Sequence, residues 1–224
     1  EHCKKIFDWD KKYPVRDMGN GKVRSAGVAM AMQGSSISNV DVGTAMIKLG
    51  ENGTYNLTIG AADMGTGCDT ILAQMAAECM ECSLDDVSVF GADTDVSPYD
   101  SGSYASSTTY LTGKAVEMAC DDLKKQICTI GAEMMDCDIE DVVFEGNKVS
   151  TADGKKSVSI TDIAYKTQVN SKYTGIGVAS HTSPVSPPPF MVGMVEIELD
   201  KYTGKVDIID YMAVVDCGIP VNPA

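Results

Sequence analysis

The chain has 224 residues, 44% of them hydrophobic, and carries 32 acidic against 18 basic side chains for a formal charge of -14. That length allows one large domain or two small ones with a buried core, and the acidic balance excludes a nucleic-acid backbone or an anionic membrane surface as an expected partner. No apolar run approaches the ~18 residues of a membrane span, and no signal peptide opens the chain, so it reads as soluble.

Residues 1–20 mix charge with Ile6, Phe7 and Trp9 and read as a helix end running into a linker at Tyr13-Pro14. The start without Met is expected of a segment of something longer. Residues 23–32 are small and apolar, as a buried strand would be, and stop at the turn Gln33-Gly34-Ser35-Ser36. Residues 44–49 and 54–59 predict a hairpin around Gly50-Glu51-Asn52-Gly53, the second strand alternating Tyr55, Leu57 and Ile59 with Asn56 and Thr58.

That strand leads into Asp63-Met64-Gly65-Thr66-Gly67-Cys68-Asp69-Thr70 and then a helix whose Ile71, Leu72, Met75, Ala76 and Cys79 share a side. Ser83-Leu84-Asp85-Asp86 reads as a turn or cap, and residues 87–90 as a short strand. The chain then enters Asp100-Ser101-Gly102-Ser103-Tyr104-Ala105-Ser106-Ser107-Thr108-Thr109, followed by a helix expected over residues 109–127. Gly113 inside that helix costs about 1 kcal/mol unless something packs closely against it.

The block from residue 44 to 127 thus holds two strand, small-residue loop, helix units. Small side chains let backbone N–H groups approach a bound oxyanion, and each helix adds its positive dipole end, so the two N-termini could converge on one phosphate-like group. Either loop alone reads equally as a capped surface turn.

Residues 134–141 are expected as a connector, residues 142–150 as a hairpin around Glu145-Gly146-Asn147, and residues 161–168 as a helix capped by Thr161. A proline-stiffened connector at residues 183–189 precedes a hairpin of residues 191–199 and 206–215, with Glu196 and Glu198 expected to face solvent.

Several chemistries find no support. Gly113-Lys114-Ala115 lacks the upstream glycine and the hydroxyl of a Walker loop. His2 and His181 are the only histidines, and neither sits in a recognisable triad; His181 reads as a loop residue. Eight scattered cysteines in a chain with ordinary core patterning point to reduced thiols in a cytosol, and Cys79-Met80-Glu81-Cys82 reads as buried helix-end thiols rather than a metal site.

Asp63-Met64-Gly65-Thr66-Gly67 with its Ala73-Gln74-Met75-Ala76-Ala77-Glu78 helix, Asp93-Thr94-Asp95 through Ser106, Pro188-Pro189-Phe190, and Asp216-Cys217-Gly218 with Asn222-Pro223 occur in order over nearly the whole chain. Together they resemble the molybdopterin-binding subunit of the xanthine dehydrogenase/aldehyde oxidase family. The resemblance implies that Gly65, Thr66, Gly67, Tyr104, Ala105, Ser106, Ser107 and Thr108 line a molybdopterin, with the cytosine dinucleotide form among those allowed. Thr66 stands where the family usually has glutamine.

The implied reaction is oxidative hydroxylation of a purine, another N-heterocycle or an aldehyde with water-derived oxygen, electrons leaving through 2Fe-2S clusters to FAD in partner subunits or domains. The implied catalytic glutamate lies beyond Ala224, so no catalytic or metal-ligating residue is expected here and the segment alone is expected to be inactive. A non-catalytic scaffold of the same fold is the alternative.

The expected architecture is α+β, mixed sheets with helices packed on one side in two-layer subdomains. Residues 1–26 are assigned to a helix end and linker, 27–130 to the cofactor-loop subdomain, and 131–224 to a second subdomain truncated at its C-terminal end.

Overall fold

The computed structural model describes residues 1–169 and 172–222. In chain order the elements are α1 (His2–Ile6), α2 (Trp9–Lys12), β1 (Arg16–Gly19), β2 (Lys22–Met32), β3 (Gly43–Leu49), β4 (Tyr55–Ile59), α3 (Cys68–Cys79), β5 (Val87–Gly91) and α4 (Thr108–Met135). They continue with β6 (Val142–Phe144), β7 (Lys148–Thr151), β8 (Ser157–Ser159), α5 (Ile160–Gln168), β9 (Ile176–His181), β10 (Phe190–Asp200) and β11 (Val206–Asp216). Helices and mixed sheets make the expected α+β fold.

Two compact units form, one from Glu1–Gly34 and Pro187–Pro220, the other from Ser35–Ser186 with Val221 and Asn222. The boundary expected at residue 130 falls inside α4, and residues 1–26, expected as a helix end and linker, hold two short helices, β1 and the start of β2. The physical reason is pairing across the sequence: β2 runs antiparallel to β10 from Lys22 opposite Asp200 to Met32 opposite Phe190.

The first unit holds a sheet in the order β1-β2-β10-β11. Two expectations are corrected here. β2 is not a buried strand: Ala26 alone is buried, and Met30 is 81% exposed. Glu196 and Glu198 do not face solvent. Both are buried, Glu196 paired with Arg16 and with Lys12 at 3.7 Å, Glu198 with Lys22 at 2.6 Å and Arg24 at 2.8 Å. Opposite charges brought together from α2, β1 and β2 make the charged side of this hairpin the covered one.

The second unit is organised on the sheet β5-β4-β3-β9. The predicted β3–β4 hairpin forms with Leu49 opposite Tyr55, and β4 pairs in parallel with β5 through the α3 crossover. Ile47, Leu57 and Ile59 meet Leu72, Ala76, Val116, Ala119 and Leu123 in one core, so α3 and α4 cover one face of the sheet.

α4 runs to Met135 instead of ending near residue 127, because its apolar stripe continues through Ile130 and Gly131 gives Val149 room to pack. Asp136 ends it in the left-handed region at φ 53°. Gly113 is explained in the same way: Met75 of α3 occupies the space a side chain would need.

The small sheet β6-β7-β8 contains the expected hairpin, with Phe144 opposite Val149, and adds a third strand that pattern alone did not indicate. α5 is capped by Ser159, whose Oγ accepts from Asp162 N, two residues earlier than the expected Thr161. Ser83 likewise caps a short 3₁₀ turn reciprocally with Asp86. His181, expected in a loop, closes β9 opposite Gly43.

Candidate functional site

The first loop joins β4 to α3. Gly65 and Gly67 take φ values of 99° and 73°, a backbone that side chains resist, which is why glycine brackets Thr66. Asp63 Oδ1 accepts from the N–H groups of Gly65 at 2.8 Å, Thr66 at 2.9 Å and Gly67 at 3.2 Å. Those bonds, Gly65's foremost, hold the Asp63 carboxyl below its usual range. Three main-chain donors of this loop thus serve an internal carboxylate. Cys68 is buried at the start of α3 and its thiol lies 3.7 Å from Asp69 Oδ1.

The second loop joins β5 to α4 and is fastened at both ends. Asp100 accepts from Gly102 N and from Thr112 Oγ1, each at 2.8 Å. Ser36 N donates to Ala105 O at 2.8 Å, and Ser101 and Val42 exchange two bonds. Ala105 and Ser106 both adopt left-handed φ, 53° and 56°, a local strain that the surrounding bonds sustain. Buried Ser107 Oγ lies 3.1 Å from Gly102 O and 2.9 Å from Tyr104 O, donating within the turn that opens α4.

A hydroxyl relay spaces the two loops. Thr108 Oγ1 donates to Ser103 Oγ at 3.2 Å, and Ser103 Oγ donates to Ala62 O at 2.9 Å. Between the loops lies a cavity of about 230 Å³ lined by Thr66, Cys68, Ile71, Ser103 and Ser106 through Thr109. No charged side chain lines it among the described residues. Its donors are hydroxyls and the first N–H groups of α4, which the helical ladder leaves without an i−4 acceptor.

Of the eight residues singled out in the sequence, Thr66, Ser106, Ser107 and Thr108 thus share one cavity. Gly65 and Gly67 are not among its lining residues but bracket Thr66 with their left-handed backbone, and Ala105 supplies the strained turn. Tyr104 turns its phenol to Asp41 instead. The sequence reading missed Ser103, Cys68 and Thr109 as lining residues, and Asp63 and Asp41 as supports. Ser103 and Thr109 sit in the run that drew attention to the loop, whereas the Asp41 contact leaves no local trace.

The family description "Molybdopterin cofactor-binding domain" matches residues 2–224. The chain belongs to that family. Among similar proteins, this molybdopterin cofactor-binding domain is 37% identical over 199 residues to the "Probable hypoxanthine oxidase XdhD" of Escherichia coli K12, a match covering 88% of this chain and 21% of that protein. It is 28% identical over 231 residues to the xanthine dehydrogenase molybdenum-binding subunit of Escherichia coli O157:H7, covering 100% of this chain and 31% of that one.

The solved Cu,Mo-CO dehydrogenase superposes with a TM-score of 0.80 at 19% identity, covering 99% of this chain and 29% of its own. Quinoline 2-oxidoreductase from Pseudomonas putida 86 superposes at 0.78 and 20% identity, covering 91% and 28%. These superpositions bear on the fold. The domain spans about a fifth to a third of the length of the curated relatives it matches. Of the matching segment at residues 222–223, Pro223 lies outside the described residues.

The cavity presents hydroxyl and backbone donors and, among the described residues, no lining carboxylate or ammonium, a donor set of the kind that receives an oxyanion. No helix among the described residues is long and apolar enough to cross a membrane.

Proposed function

We propose that this domain is the part of a molybdenum hydroxylase subunit that seats molybdopterin between the β4–α3 and β5–α4 loops. The observation that carries the reading is the cavity joining Thr66 to Ser106, Ser107 and Thr108, with the loops spaced by the bond from Ser103 to Ala62. Thr66, Ser106 and Thr108 offer side-chain hydroxyls to the cofactor. Gly65, Gly67 and Ala105 give the backbone its shape, and Tyr104 and Ser107 hold the second loop in place. When bound, the molybdenum cofactor supplies the redox chemistry of oxidative hydroxylation of a purine, another N-heterocycle or an aldehyde.

This chain's residues bind and orient; the acid–base group belongs to another part of the protein. The partners in this reading are the remainder of the molybdenum subunit and iron–sulfur and FAD components, with small-molecule substrate and either mononucleotide or cytosine dinucleotide cofactor. The cytoplasm is the proposed compartment, in keeping with eight unpaired cysteines. The exposed apolar side of the first unit's sheet, with Val28, Met30 and Phe190, suits burial against the remainder of the subunit.

Purifying the protein at its native length and measuring molybdenum and pterin content tests the reading. Stoichiometric cofactor that falls several-fold in Ser107→Ala is expected. A cofactor-free wild type from molybdenum-replete cells would favour the non-catalytic scaffold, for which Thr66 in the usual glutamine position is the supporting observation.

A further inference from the structure

We infer that a polar cavity at the opening end of β4 binds a small organic cation, an amine carrying several N–H donors. It is separate from the candidate cofactor cavity: Tyr55 opens β4, whereas the β4–α3 loop follows the strand's last residue, Ile59. The group that carries the inference is the Tyr55 hydroxyl. Tyr55 is 1% exposed, and its buried oxygen has no hydrogen-bond partner among the described residues. A buried hydroxyl left unpaired costs stability, and a ligand's N–H groups would complete it.

Tyr55 lines a cavity of about 500 Å³ together with Glu81, Cys82, Asp86 and Glu145. Burial first, then Cys82, Cys120 and Asp86, raises its pKa, so the phenol stays neutral and its oxygen is free to accept. Two of those neighbours, Cys82 and Asp86, belong to the cavity wall, which puts the hydroxyl on the cavity side of Tyr55.

The surroundings set the sign of the ligand's charge. Three carboxylates line the cavity and no lysine or arginine does. Lys124 reaches Glu81 at 3.7 Å and Lys148 reaches Glu145 at 3.3 Å, partial neutralisation from outside the wall. Asp86 gives Oδ2 to the Ser83 N–H at 3.2 Å, and its other oxygen accepts nothing among the described residues. α3 ends at Cys79 with no basic residue in its last turn, adding its negative dipole end beside Glu81 and Cys82.

A bare metal ion is the poorer fit. Asp63, Cys68 and Asp69 are the group among the described residues whose ligand atoms gather within 4.8 Å, and none of them lines this cavity. Acceptors spread around a wide cavity suit the separate N–H donors of an amine. The wall is also fixed before binding: Gly146, at φ 68°, brings the β6–β7 turn so close to the end of α3 that a Cβ would stand 2.2 Å from the Glu81 carbonyl oxygen.

Calorimetric titration of the native-length protein at low salt tests this, with putrescine as the probe and its uncharged diol analogue as the control. One saturable putrescine site and no diol binding are expected. Tyr55→Phe removes the hydroxyl alone and should weaken putrescine about fivefold, with the ligand-free thermal midpoint unchanged or raised. Glu81→Gln and Glu145→Gln should each weaken it about threefold, and they serve if the phenylalanine variant does not fold.

No saturable putrescine binding overturns the inference, as does equal affinity for the diol. Wild-type affinity in Tyr55→Phe overturns it as well, even where the glutamine variants bind less. Molybdenum and pterin content decides the cofactor reading separately.

Discussion

Tyr104 donates its phenolic proton to Asp41 Oδ1 at 2.6 Å, and Asp41 has no exposed surface. The other Asp41 oxygen accepts from Ile37 N at 2.7 Å, so one buried carboxylate ties the segment before β3 to the strained turn at Ala105 and Ser106. Asp41→Ala strands the Ile37 N–H and releases the turn. Chemical denaturation should show a loss of about 2 kcal/mol, with faster proteolysis within residues 103–107.

Two glycines, Gly177 packed against α4 and Gly113 within it, should respond very differently to alanine. At Gly177 a Cβ would stand 2.0 Å from the Ala119 carbonyl oxygen, and neither backbone can yield. Gly177→Ala should cost at least about 3 kcal/mol or prevent folding. At Gly113 the obstacles are Met75 Cε at 2.7 Å and Sδ at 2.8 Å, the far end of a flexible side chain. There the helix-propensity gain offsets the crowding, and thermal unfolding should move by no more than the equivalent of about 1 kcal/mol.

Acid should loosen the first unit through Glu198. Lys22 first, then Arg24, hold its carboxyl below the ordinary 4.5. The folded state therefore binds fewer protons than the unfolded state around that value, so stability is fully present above it and is lost as pH falls through the depressed folded value. Urea titrations between pH 3 and 7 should show this fall in wild type and a shallower one in Glu198→Gln.

Thiol reactivity should rank by environment. Burial pushes Cys82 up to about 11, so about one in a thousand of its side chains is a thiolate at pH 8. Contact with Cys79, then burial, raises Cys120 further. Exposed Cys217 should therefore be alkylated first, with Cys82 and Cys120 protected until unfolding, as peptide mapping would report.

What the sequence made legible was local. The hairpin around Gly50-Glu51-Asn52-Gly53 follows from a turn and an alternation contained within sixteen positions or so, and both proposed cofactor loops follow from runs of small residues before helix starts. What it hid depends on distant partners. The buried side of β10 was read inversely because the Arg16 that neutralises Glu196 lies 180 positions away. Tyr104 was read as facing the cofactor because its partner Asp41 lies 63 positions upstream, outside any motif. Asp63 was within reach, since an aspartate two residues before glycine commonly accepts main-chain bonds, but spacing does not say whether such donors are spent.

The pairing of β2 with β10 sets an order of events during synthesis. β2 leaves the ribosome paired at most with β1, and its first partner in β10, Phe190, follows Met32 by more than 150 positions. At about 5–20 residues per second that is a wait of roughly eight to thirty seconds. The intervening stretch carries a complete sheet and its helices, and can settle meanwhile as a finished insert. A nascent chain should therefore acquire protease resistance in two stages, residues 35–186 before the β1-β2-β10-β11 sheet.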